Sequence, residues 1–478
     1  MYVYVTGRGT ADKRSKIVKN IRRVNSSLLN LQRIELLSRN RRQRIRNLRA
    51  YPRNARWDTA FCATLQINWP VSTEIFAFLS ESDNGNNAAE GRPMRRQLPI
   101  ALPICILALA SSLGRAASPA VDHTTATASA SATQWNAAAA TKYLDDRELW
   151  WQDWPRAQKD HGTLCISCHT QLPYALARPL LSRQLGVTAI SAPEQAMLAS
   201  IRKRVALGGE AKTFYTDADN GPGKTLEARN AEQVMNALIL ASYDAQTGHL
   251  QASTREALDR MWTTQVATGP KAGAWVWQDF HFSPWEAPES EYFGAVMAAV
   301  AVAMAPDNYR ATPAIQPHLA LLRGYLRREA AAQPLANSAL LLWACSRWPG
   351  MIPPAQQAAL ERAIVARQQA DGGWSLTTLG EGTWKRRDDS PFETRSDGYA
   401  TAIAVLALKE SGHAAALKMP LQRGVQWLRT NQNPATGQWT AWSVNRRRDP
   451  NSDVGKFMSD AATGFAVLAL DDPVGRQK

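Results

Sequence analysis

The sequence predicts an all-α protein built from repeated helical hairpins, and three observations carry that expectation. Beyond residue 225 the chain alternates Ala/Leu-rich runs with loops that contain Gly and Trp. One apolar run recurs: SDGYATAIAVLAL (Ser396 to Leu408) matches SDAATGFAVLAL (Ser459 to Leu470) with one deletion, and SEYFGAVMAAVAVAM (Ser290 to Met304) more loosely. A second run ends each time in Gln, a short turn and Gly-x-Trp. Its copies are RGVQWLRTNQNPATGQW (Arg423 to Trp439), AIVARQQADGGW (Ala363 to Trp374) and the looser LDRMWTTQVATGPKAGAW (Leu258 to Trp275). Repetition on this scale marks stacked supersecondary units.

The apolar runs are wide enough to be buried on most faces. LRGYLRREAAAQ, from Leu322, reads as a degenerate helix of the second kind. Physically, the Gln of each hairpin can hydrogen-bond the free backbone groups at a neighbouring helix end, while the Trp ring seals the gap between hairpins. One hairpin cannot bury its apolar face alone, so several must stack. The spacing resembles the QW motifs of the squalene-hopene cyclase and protein prenyltransferase superfamily, over roughly residues 225–470. The resemblance implies an α/α toroid with inner and outer helices in a closed ring, in which the motif residues are structural.

In chain order, residues 1–93 read as an upstream extension that is not part of the native protein, because a secretory signal follows at residues 94–120. Met94 opens MRRQLPIALPICILALASSLGRAASPA, two arginines ahead of about seventeen mostly apolar residues and then small ones, which is the layout of an export signal. Cleavage is expected between Ala116 and Ala120. A membrane anchor is the competing reading, but an apolar core interrupted by Pro99 and Pro103 is short for a span. The expected location is therefore periplasmic or secreted, with no stable membrane span after cleavage. Residues 121–141 (VDHTTATASASATQWNAAAAT) read as a linker, residues 142–224 as a Trp-rich segment, and residues 225–478 as the repeat domain.

The formal charge of +15 suggests nucleic acid until it is divided along the chain. Residues 1–120 hold 20 Lys+Arg against 7 Asp+Glu, and the remainder holds 36 against 34, a net of only +2. No nucleic-acid partner is expected of the main body. Of five cysteines, Cys62 and Cys105 lie upstream of or within the signal. Cys165, Cys168 and Cys345 are too few for a disulfide framework.

The Trp-rich segment ends in HGTLCISCHT, in which Cys165, Cys168 and His169 form Cys-x-x-Cys-His. Covalent haem attachment requires this pattern: two thiols one helical turn apart add to the two vinyl groups, and the adjacent imidazole reaches the iron. Here the motif resembles that of c-type cytochromes, and it implies one haem c bound by Cys165 and Cys168 with His169 as iron ligand. A redox or structural disulfide and a zinc site are the other two readings. Zinc lacks a second Cys/His pair at the usual spacing. Met197, Met235, His161 and His281 are candidate sixth ligands, the methionines reading first as core residues.

A further repeat lies in the loops, where SPWEAPESEYFG (Ser283 to Gly294) parallels SPFETRSDGYAT (Ser390 to Thr401). In a toroid these loops border the central cavity, so Glu286, Glu291, Glu393 and Asp397 are candidate acid/base groups. The plainer reading is helix capping, with Ser290 and Ser396 as caps. The cyclase resemblance fails at the chemistry: TDADNG (Thr216 to Gly221) and RRDDSP (Arg387 to Pro391) do not match the Asp-x-Asp-Asp acid motif. Cys345 likewise has no partners for a prenyltransferase zinc site.

The main expectation is an exported electron-transfer protein, one haem c on a toroid body, meeting a periplasmic redox partner. Its alternatives are a toroid enzyme acting on a small hydrophobic isoprenoid or a glycan with the haem as accessory, and a non-catalytic binding scaffold.

Overall fold

A computed structural model describes residues 135–411 and 417–471, all of them within the compact unit Val121–Lys478. The signal at 94–120, the upstream 1–93, Cys62, Cys105 and most of the 121–141 tract lie outside the described residues. Among the described residues, in chain order, the helices begin with α1 (Ala137–Asp153), α2 (Gln171–Gln184), α3 (Ala192–Leu207), α4 (Asp217–Asn220), α5 (Lys224–Thr247), α6 (Ala252–Thr263) and α7 (Ser290–Met304). They are followed by α8 (Gln316–Glu329), α9 (Leu335–Arg347), α10 (Pro354–Val365), α11 (Leu376–Leu379), α12 (Gly398–Glu410), α13 (Lys418–Thr430) and α14 (Phe457–Leu470). The strands among the described residues are a two-residue antiparallel ribbon, β1 (Gln158–Lys159) with β2 (Thr163–Leu164).

The repeated apolar runs become inner helices. α7, α12 and α14 carry almost no polar face, and α7 and α14 are buried along most of their length. α2, α5, α7, α9, α12 and α14 each pack against the next, and α14 returns to α2. The ring is closed and the protein is an all-α, α/α toroid. α1, α3, α6, α8, α10 and α13 form the outer layer. Being half solvated they are amphipathic, as in α13, where Gly424, Trp427 and Leu428 face inward.

The three Gln/Trp copies form three equivalent seams. The indole N–H of Trp275 donates to Met261 O at 2.8 Å, that of Trp374 to Ile364 O at 2.8 Å and that of Trp439 to Leu428 O at 2.7 Å. Each ring thus ties an outer helix's late carbonyl while filling the gap, and all three are fully buried. The amide of Gln265 donates to His318 O, that of Gln368 to Pro420 O and that of Gln432 to Asn136 O, at 3.0 Å in the last case. Each acceptor lies at the start of the next outer helix. The looser third copy is built as fully as the other two.

Gly273, Gly372 and Gly437 have φ of 101°, 92° and 80°. A Cβ there would lie 2.1 Å from Leu321 O, 3.0 Å from Arg423 O and 2.2 Å from Ala139 O. Only glycine combines that backbone with that approach.

The last seam closes the ring on its own beginning. Trp135 packs at 5.8 Å on Trp439, and Asn136 caps α1 by accepting from Ala139 N at 2.9 Å. The tract read as linker to residue 141 therefore contributes its end to the fold, because an alanine run behind an Asn cap is a strong helix start. The ring also begins before residue 225. α1 and α2 complete it, although their sequences carry none of the repeat.

Candidate functional site

Aromatic and polar contacts join the start of α2 to the start of α14 and to the loop ahead of α7, and that loop to the start of α12. These inner helices thus begin at one mouth of the ring, which is bordered by the loops that precede them. The Cys-x-x-Cys-His segment lies there, between β2 and α2. The expected helical turn carrying both thiols is not formed. Cys165 and Cys168 occupy the loop and turn into α2, because Ser167 interrupts it as a cap, its hydroxyl accepting from Thr170 N at 3.1 Å and Gln171 N at 3.0 Å.

The segment is held from several sides. Cys165 N donates to Ala157 O at 2.7 Å, and the indole of Trp151 donates to Cys165 O at 2.8 Å. Buried Arg204 donates to Thr163 Oγ1 at 2.7 Å and pairs with Glu232 on α5. Cys165, Cys168 and Cys345 are free thiols. Burial pushes the Cys165 thiol up to about 12 and Cys168 well above its ordinary value, so both stay neutral. Cys168 Sγ lies 3.5 Å from Met235 Sδ, across from α5.

His169 stacks on Phe457 at 3.8 Å between centroids, with Trp151 edge-on at 5.3 Å and Trp285 at 6.1 Å. Burial, reinforced by Arg147 and Arg448, pushes its imidazole down to about 3. Its Nδ1 lies 2.9 Å from Thr170 Oγ1, whose hydroxyl donates to Asp460 Oδ2 at 2.8 Å. With that hydroxyl proton committed to Asp460, Nδ1 carries a proton and donates it to Thr170. Nε2 is left with its lone pair and no hydrogen-bond partner among the described residues. Asp460 also accepts from Tyr143 at 2.7 Å and from Arg147 Nε at 2.8 Å. Burial raises its carboxyl while Arg147 opposes that.

The candidate acids of the rim separate clearly. Glu291 pairs with Lys271 at 2.6 Å, and Glu393 with buried Arg386. Asp397 caps α12 by accepting from Ala400 N at 2.9 Å and also accepts from Leu376 N at 2.5 Å, though burial pushes it up to about 7. The caps expected at Ser290 and Ser396 are not made. Ser290 bonds the preceding loop and Ser396 bonds Gln369 and Asp371, which leaves the α12 cap to Asp397. Among the described residues, Glu286 alone of the four has no side-chain hydrogen bond or ion pair. Burial pushes its carboxyl up to about 7, and it faces Cys165, Cys168 and Tyr215 closely enough to raise each of them.

Of the sixth-ligand candidates, Met235 is brought to the motif. Met197 is buried in outer helix α3, while His161 and His281 are exposed beside Asp160 and Asp279. Among the described residues no cluster of three His, Cys, Asp or Glu could hold a metal ion, and no helix is long and apolar enough to cross a membrane. Sequence reading missed Asp460, Thr170 and Arg147. The available signal was the Ser-Asp that opens both repeated inner helices: Asp397 uses it to cap its own helix, whereas Asp460 spends it on the motif.

No protein-family model matches this chain, and no curated protein matches it. Among solved structures, one described as a wild-type glycosidase is 14% identical over 70% of this chain and 97% of its own, with a TM-score of 0.41. A glycosidase variant in complex with glucose is 14% identical over the same shares, with a TM-score of 0.40. Similarity this remote carries nothing about substrate or reaction.

Proposed function

We propose that this protein carries one haem c, joined to Cys165 and Cys168 by thioether bonds and ligated by His169, and that it transfers electrons outside the cytoplasm with a periplasmic redox partner. The observation that carries the reading is His169 itself. It stands directly after the second thiol, neutral across the physiological range, with Nδ1 held by Thr170 and Nε2 free. A metal-ligating histidine needs this arrangement, since its other ring nitrogen must be fixed by an outer partner. The chemistry of this donor set supports the reading.

The thiols favour the same choice. Burial that keeps them neutral opposes zinc, which binds thiolates, but suits a thioether, which carries no charge. Bound there, haem supplies one-electron chemistry. The chain's own residues would then divide the remaining work. Cys165 and Cys168 anchor the group, Thr170 and Asp460 fix the imidazole's tautomer and plane, and Arg147 balances the buried carboxylate. Trp151, Trp285 and Phe457 pack around the ring.

Expression with a c-type maturation system tests this through a pyridine haemochrome spectrum and intact mass. The expected product is red, heavier by one haem, and keeps its colour through acid-acetone extraction. Cys165→Ala with Cys168→Ala should abolish attachment, while His169→Ala should weaken incorporation and shift the Soret band. A colourless protein at its apo mass with a Cys165–Cys168 disulfide would overturn the assignment and leave the binding scaffold.

Two observations favour the second reading, a toroid enzyme acting on a glycan or an isoprenoid. Glu286 offers an unpaired, partly protonated carboxyl at the mouth. Asn230, Gln233 and Asn236 on inner helix α5 are buried with side-chain oxygens that accept no hydrogen bond among the described residues, which suits a hydroxyl-rich ligand best. Turnover of a soluble oligosaccharide that is lost in Glu286→Gln at unchanged haem content would establish that reading.

A further inference from the structure

The loops ahead of α12 and α14 line an open, solvent-facing cavity of about 520 Å³, whose wall includes Phe392, Glu393, Arg395, Trp442, Arg447 and Arg448. Its charge is unbalanced. Glu393 is the one carboxylate in that wall, and buried Arg386 already neutralises it. Arg395 lies over the Trp442 indole, its guanidinium carbon 4.2 Å from the ring centroid, and it pairs with no carboxylate among the described residues. The Arg447 side chain is equally unpaired, and only its backbone N–H is used, donating to Asp388 at 2.8 Å. Arg448 reaches only Asn445 Oδ1, at 3.5 Å.

Arg448 is the telling member. It is half-buried, and burial with the neighbouring Arg446 pushes its guanidinium below the ordinary value, Asp388 opposing. A fold that desolvates a cation without a counter-ion leaves its attraction for an anion unspent. Guanidinium forks match the two oxygens of a carboxylate or phosphate.

We propose that this cavity is an anion-binding site for a carboxylate- or phosphate-bearing group, clamped by Arg395, Arg447 and Arg448. The group has two sources. One is the propionates of a haem on Cys165 and Cys168, a source that rests on the haem reading. The other is a free small-molecule anion, which does not.

The test titrates the full chain with inorganic phosphate and with succinate at low ionic strength, by calorimetry and tryptophan fluorescence. It uses protein matured with haem and protein made without the maturation system. The haem-free form should bind a probe at least tenfold more tightly than its Arg395→Gln/Arg448→Gln variant, with affinity falling as salt rises. Both exchanges are near the surface, and circular dichroism checks that the fold is kept. At least tenfold weaker binding in the haem-bearing form identifies the propionates as occupant, whereas equal binding in the two forms identifies a free anion. Should maturation leave the protein colourless, the haem reading falls while the haem-free arm still decides the anion site. Binding by wild type no tighter than by the double variant would overturn the proposal.

Discussion

The seams at Gln265, Gln368 and Gln432 and the segment from Asp160 to Thr170 stand on one ring but are held differently. Each seam is made of an indole, an amide and a glycine, none of them charged, and each bonds backbone carbonyls. Backbone groups are the same in every hairpin, so one solution serves three times. The Cys-x-x-Cys-His segment instead depends on buried ion pairs between specific side chains, Arg147 with Asp460 and Arg204 with Glu232, and on an aromatic cage. Such arrangements serve one place only. Buried charge adds little net stability but enforces geometry when complete, and here the geometry enforced is that of His169.

The largest expected effects come one from each region. Trp439→Ala should cost about 3–5 kcal/mol, as large-to-small core changes do, and Trp374→Ala about the same, measured by denaturant unfolding. Near-wild-type stability of both would break the account of the seams. Asp460→Ala should also cost about 3–5 kcal/mol, because it removes the buried acceptor shared by Arg147, Tyr143 and Thr170 and leaves Arg147 only the more exposed Asp453. Replacing both partners, Arg147→Met with Asp460→Leu, should recover much of that loss, a rescue that a purely packing role for Asp460 would not produce.

Gly437→Ala should cost about 1–3 kcal/mol from its left-handed backbone and the nearby Ala139 carbonyl, and Gly437→Asn, which tolerates that backbone better, should still be destabilising. A neutral Gly437→Ala would show that α1 can move away from the seam.

The smallest effect sharpens the mouth. Glu286 has a folded-state pKa raised from 4.5 to about 7, so its ionisation costs stability as pH rises between those values. Glu286→Gln should leave stability unchanged near pH 4 and raise it by about 1 kcal/mol above pH 7, a value reduced from the full shift because the side chain is partly open to water. A gain at low pH only would contradict the sign.

What could be read from residues alone followed from repetition and from chemistry that is local along the chain. The apolar runs, the Gln and Gly-x-Trp turns and the Cys-x-x-Cys-His pattern each lie within about twenty residues. Their physical meaning, a buried helix, a seam and a pair of thiols beside an imidazole, needs no distant partner to be recognised. Tertiary structure alone decided the rest. α1 and α2 join the ring without repeat residues because closure demands inner helices on every side, whatever their sequence. Ser396 lost its cap to Asp397 through contacts with Gln369 and Asp371, residues more than twenty positions away. Glu286 is the unpaired acid only because Lys271 and Arg386 reach the other two glutamates. And the state of His169 rests on Asp460, 291 positions along the chain, which meets it because the last inner helix of a closed ring must lie beside the first.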